Sequence, residues 1–124
     1  MGYVDVVSEI GSPSIRARTL CAWGSRLKGL LGTSPDAEAV ILVPCKAVHT
    51  YGMSYPIDVA FLGSSGEVLA SYRNVGAGRR LRVSHSIAVL ERPTSEEGWF
   101  LRHERVRFVE AAAAGVTEGG ACDG

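Results

Sequence analysis

The chain has 124 residues, 46% of them hydrophobic, 21% charged and 7% aromatic, the size and make-up of one water-soluble domain organised around its own core. Thirteen Lys and Arg balance thirteen Asp and Glu, which removes the whole-domain basic footprint of a dedicated nucleic-acid or anionic-membrane binder and leaves room only for a local basic patch. Cys21, Cys45 and Cys122 are odd in number and contain no Cys-x-x-Cys pair, so they fit neither a disulfide framework nor a zinc finger.

The first residues lack a basic segment followed by an apolar run, so cytoplasmic residence is expected. Val4 and Val6 alternate with polar neighbours, Gly11-Ser12-Pro13-Ser14 punctuates, and Ile15 to Leu20 alternates again, which predicts a hairpin-like start. Trp23, Leu27, Leu30 and Leu31 recur at helical spacing, and Gly32 stands where a C-cap glycine belongs, predicting a short helix over 23–31. Ala39 to Val43 is a continuous apolar run ending at Pro44; it reads as a buried strand and is far short of the ~20 residues that span a bilayer. Pro44 to Pro56, with Gly52 and a mix of Cys45, His49, Tyr51, Met53 and Tyr55, reads as neither helix nor strand.

Ile57 to Leu62 and Glu67 to Val75 flank Gly63-Ser64-Ser65-Gly66, the clearest hairpin signal in the chain. Gly76-Ala77-Gly78 with Arg79, Arg80 and Arg82 reads as a flexible basic loop, and Ser86 to Glu91 as a further strand. Thr94 with Glu97 three positions later satisfies the capping-box pattern, predicting helical turns over 95–101. Arg105 to Val109 alternates as a last strand, and 111–124 is a low-complexity tail. The expectation is one mainly β domain over 1–110, a small β-sandwich or barrel-like fold with one or two short helices.

Several constellations carry possible chemistry. Cys45-x-x-x-His49 supplies two ligand types that zinc prefers, but two ligands make no site, and a small buried thiol beside a loop histidine explains the pair more simply. The same residues with Asp58 compose the alternative reading, a metal- or thiol-dependent hydrolase, which needs a thiol activated by its neighbours. Asp58 opens an apolar strand, and an acid there organises loop amides more often than it faces a ligand. Arg79, Arg80 and Arg82 beside two glycines are a candidate anion site, a third reading that extends to nucleic acid, although the phosphate-loop and dinucleotide patterns are both absent and the neutral net charge weighs against it. No cofactor is expected.

Arg26-Leu27-Lys28-Gly29-Leu30-Leu31-Gly32, the run Pro44-Cys45-Lys46-Ala47-Val48-His49-Thr50-Tyr51-Gly52-Met53-Ser54-Tyr55-Pro56-Ile57-Asp58, and Ala88-Val89-Leu90-Glu91 together resemble domain-of-unknown-function family 192 over about residues 15–93. The resemblance implies a small, mainly β domain and brings no activity with it. Its pattern falls on Arg26, Gly29, Leu30, His49, Thr50, Met53, Pro56, Asp58 and Glu91. After Glu91 the chain departs from it: Arg92-Pro93-Thr94-Ser95-Glu96-Glu97 and Arg102-His103-Glu104-Arg105 stand where the family continues through Pro-Ala-Gly and a later Gly-Asp turn. The leading expectation is therefore a non-catalytic binding or accessory module, with Arg26, His49, Thr50, Met53, Asp58 and Glu91 around a cleft near 44–58 that takes a small ligand or a partner peptide.

Overall fold

A computed structural model of the chain describes residues 2–111, without the side chains of Trp23, Leu27 and Ala111; the tail expected at 111–124 lies outside the described residues beyond its first position. Among the described residues the elements are β1 (Tyr3–Ser8), β2 (Ser14–Leu20), α1 (Trp23–Lys28), β3 (Ala39–Leu42), β4 (Ala47–His49), β5 (Ile57–Leu62), β6 (Val68–Val75), β7 (Arg80–Arg82), β8 (Ala88–Pro93) and β9 (Val106–Ala111). Seven strands form one sheet in the order β6-β5-β8-β3-β2-β1-β9, and β4 pairs with β7 in a separate ribbon. The fold is mainly β, with the large sheet curled into a half-barrel.

Both sheet edges meet at one end of that curl. The Val106 amide donates to the Gly66 carbonyl at 2.8 Å, Val68 to Glu104 at 2.8 Å, and His103 to Val68 at 2.9 Å. Gly66 permits this closure: its φ is +85°, and a Cβ there would stand 2.4 Å from the Val106 carbonyl oxygen.

Strand pleating sorts the core into two layers. Ala60 and Leu62 of β5 and Ala88 and Leu90 of β8 share one face with Ile41, packed against Trp99, Phe100 and Val106. Ile57, Val59 and Phe61, with Val89, Val40 and Leu42, share the other, under Leu30, Tyr55 and Leu81. Covering both faces buries all six positions of β5 and explains its unbroken apolar reading.

Four local expectations change. The helix ends three residues early: Gly29 takes φ +51° and ψ −122° and closes α1, its amide donating to Ser25, while Gly32 sits in the turn beyond. No helix forms over 95–101, because the Thr94 hydroxyl is spent on Asp58 at 3.0 Å and the Ser95 hydroxyl accepts from the Glu97 amide. The segment 44–56 contains a strand after all, β4, and part of the expected flexible loop is its partner β7. Cys45 carries a free thiol.

Candidate functional site

Consecutive residues of a strand face opposite ways, and on β8 this divides two charged groups between two environments. Arg92 points to the Trp99 side, where its guanidinium lies 4.6 Å from the indole centroid. Glu91 points to the α1 side and is buried, 4% exposed. It makes no ion pair with any described residue; the Leu30 amide donates to it, and burial pushes its carboxyl up to about 7 against that pull.

The reason Glu91 can lie under α1 is Gly29. A Cβ at this position would stand 2.8 Å from Glu91 Oε1 and would push the carboxyl end of that side chain aside, so the chain leaves the helix with bare backbone over the carboxyl. Glu91 then forms the acidic wall of a cavity of about 60 Å³, bounded by Gly29 and Leu30 and by apolar Leu31, Leu42, Met53 and Ile57. Arg26, Lys28 and His49 also line it. The volume takes a few water molecules or a group of a few heavy atoms.

Of the residues expected at the cleft, Arg26, His49, Met53 and Glu91 line this cavity. Arg26 is also a brace: Nε donates to the Cys21 carbonyl at 2.9 Å and Nη1 to the Pro44 carbonyl at 2.8 Å, tying α1 to the entry of 44–56. His49 is exposed and stacks on Tyr51, ring centroids 5.3 Å apart.

Thr50 and Asp58 lie elsewhere. Thr50 is fully buried; its Oγ1 donates to the Gly76 carbonyl at 2.7 Å and accepts from the Arg79 amide at 2.8 Å. Asp58, also fully buried, accepts from Arg92 Nε at 2.9 Å, from the Asn74 amide at 2.9 Å and from Thr94 Oγ1 at 3.0 Å, with Arg73 at 3.7 Å. Pleating puts it on the opposite face of the sheet from Glu91, so its work is architectural, as an acid on an apolar strand requires once a cation answers it. The signal in the sequence is the acid itself: a carboxylate on an apolar strand needs a cation, and the one that answers it is Arg92, next to Glu91 on β8.

Cys45 borders a second, larger groove of about 560 Å³ that shares Arg26 and Ala47 with the cavity and is otherwise walled by Pro44, Lys46, Ser86 and Ile87. The thiol donates to the Ala47 carbonyl at 3.2 Å. Burial pushes it above the usual thiol value, and the Glu91 charge adds to that rise while Arg26 opposes it, so it is an unactivated nucleophile. Among the described residues no group of three or more His, Cys, Asp or Glu is placed to hold a metal, and Cys45, His49 and Asp58 do not meet as a catalytic set. Arg79, Arg80 and Arg82 are exposed, the last two on β7 opposite His49 and Ala47.

No helix among the described residues is long and apolar enough to cross a membrane. No family model matches the chain, and no curated protein does. Two solved structures are similar. A protein of unknown function from Novosphingobium aromaticivorans DSM 12444 aligns with a TM-score of 0.62 at 19% identity, over 85% of this chain and 83% of that one. A "putative transcription regulator" from Sinorhizobium meliloti 1021 aligns with a TM-score of 0.65 at 14% identity, over 86% and 92%. At such identities the likeness concerns the fold alone, the curled half-barrel described above.

Proposed function

We propose that this domain is a non-catalytic binding module that holds the hydrogen-bond-donating head of a small molecule, an amine, amide or hydroxyl, against Glu91. We also propose that it belongs with domain-of-unknown-function family 192, whose pattern residues Arg26, Gly29, Leu30, His49, Met53 and Glu91 line one cavity. The observation that carries the reading is a buried carboxyl facing open space, with the Leu30 amide as its one hydrogen-bond partner among the described residues. A carboxyl in this setting gains from any donor that enters. The adjoining groove gives room for the remainder of the ligand, and the unactivated Cys45 thiol favours binding over hydrolysis.

The test is a thermal-shift panel of amines, amides, sugars and short peptides on wild type and on Met53→Trp, which puts a larger side chain on the cavity lining. A ligand at ~100 times its Kd adds about 2.7 kcal/mol, a rise of several degrees in a domain this size. Stabilisation should be lost in Met53→Trp, and for amines it should strengthen as pH rises through about 7, because the ionised carboxylate is the form that accepts. A blank panel, or hits indifferent to Met53→Trp, overturns the assignment.

A further inference from the structure

The balanced charge of this chain conceals a segregation. Neither 39–57 nor 68–90 contains an acidic residue, whereas together they hold Lys46, Arg73, Arg79, Arg80 and Arg82 with His49 and His85. The β4–β7 ribbon is built from these two stretches. Its register pairs His49 with Arg80 and Ala47 with Arg82, and Val48 with Leu81 between them. Leu81 is buried, so the alternate positions His49, Arg80 and Arg82 present one outward face.

Among the described residues no acidic group answers that face. Arg16 pairs with Asp5, Arg18 with Glu38 and Arg92 with Asp58, but the side chains of Lys46, Arg79, Arg80 and Arg82 have no ion pair or hydrogen bond to a described residue. Beside them His49 and Tyr51 stack with their planes 27° apart, and Tyr51 is 52% exposed. Thr50, between the two rings in sequence, locks this ledge to the arginine loop: its amide donates to the Arg79 carbonyl at 2.8 Å, and its hydroxyl holds Gly76 and the Arg79 amide. Cations and a flat aromatic surface are therefore held in a fixed relation.

We propose that the outer face of the β4–β7 ribbon binds single-stranded nucleic acid, with Arg80 and Arg82 on phosphates and a base stacked on the Tyr51–His49 ledge. Arginines two apart on a strand stand about 7 Å from each other, a reach suited to neighbouring phosphates of an extended strand. A ring ledge adds affinity only for a base whose face is free, which separates a single strand from a duplex. A three-residue ribbon serves a few nucleotides, so the interaction is weak and salt-sensitive.

The experiment is fluorescence anisotropy of labelled oligo(dT) with the intact chain between about 50 and 200 mM salt. Saturable binding is expected at low salt, weakening with a log–log slope of about −0.7 per phosphate engaged, hence about −1.4 for two arginines. The double variant Arg80→Glu, Arg82→Glu should lose about tenfold or more and flatten the slope; Tyr51→Ala should lose about fivefold or more and keep it. Arg16→Glu, on the far sheet, should change nothing. All four positions are exposed, and matching melting temperatures will separate loss of binding from loss of fold. No binding at low salt, equal losses from Arg16→Glu, indifference to Tyr51→Ala, or tighter binding of a duplex of the same length would each overturn the proposal.

Discussion

Replacing Glu91 by glutamine should remove a pH-dependent penalty that the wild type carries at neutral pH. In the folded chain the carboxyl ionises at about 7 against an ordinary 4.5, because desolvation outweighs the Leu30 amide. Between those two values the unfolded chain has released the proton and the folded chain still holds it. The folded state therefore binds more protons, and stability falls as pH rises through this window. At about 1.4 kcal/mol for each tenfold change in proton affinity, the full span costs about 3 kcal/mol by pH 8. Glutamine fills the same space, accepts from the same amide and does not titrate. Urea unfolding of both proteins, from about pH 5 to about pH 8.5, isolates this group, since all other titrations are common to both and cancel in the difference. The variant should sit near the wild type at pH 5 and exceed it by about 2–3 kcal/mol at pH 8.5. Parallel curves would show that Glu91 is solvated or partnered, and the argument for an open acceptor in the cavity would fail.

Gly29→Ala should cost about 2–3 kcal/mol, combining left-handed backbone strain with displacement of the carboxyl; in the Glu91→Ala background only the backbone part, about 1 kcal/mol or more, should remain in thermal melts. Asp58→Asn leaves Arg92 buried without its counter-charge and should cost about 3–5 kcal/mol in urea titrations, whereas a loss below about 1 kcal/mol would mean the network is not cooperative. Iodoacetamide should label Cys45 slowly at neutral pH, and faster in Glu91→Gln, because that variant removes the charge that helps hold the thiol protonated; equal rates would separate the two groups. Gly66→Ala should depress the melting temperature by several degrees or more, since its methyl group would meet backbone at Val106 and no side chain can yield.

Legibility in the sequence followed the length of the signal. The hairpin β5–β6 announced itself through Gly63-Ser64-Ser65-Gly66 between two apolar runs, and β3 through four consecutive residues that are all buried. β4 and β7 have three residues each, too few to show alternation, and they exist only because each supplies the other's hydrogen bonds. The capping box at Thr94 misled for a related reason: its hydroxyl found a better acceptor in the buried carboxylate of Asp58, a tertiary contact no local pattern contains. The same limit governs the site. Sequence similarity grouped Asp58 with Glu91, yet β5 and β8 pair Asp58 with Arg92 and Val59 with Glu91, so the pleat sends the two acids to opposite faces. Gly29 belonged to the pattern, but what it does, leaving room for a carboxyl half the chain away, appears only when the strand and the helix end are superposed.

The pairing of β1 with β9 also sets the order of assembly. Tyr3 stands opposite Ala111, and Ser8 opposite Val106, so the first strand of the chain has an open side until the last strand arrives. The second closure, Val106 on Gly66, depends on the same late segment. Local hairpins such as β5–β6 close on short loops and can form early, whereas the hoop is completed by contacts that span the described chain, for which the entropy of joining distant segments must be met before any hydrogen bond is gained. Refolding is therefore expected in the range of milliseconds to seconds typical of sheets dominated by non-local pairs. In a ribosome-bound chain, β1 would wait with one edge unsatisfied until Val106 to Ala111 clears the exit, which makes that interval the period of greatest exposure to mispairing.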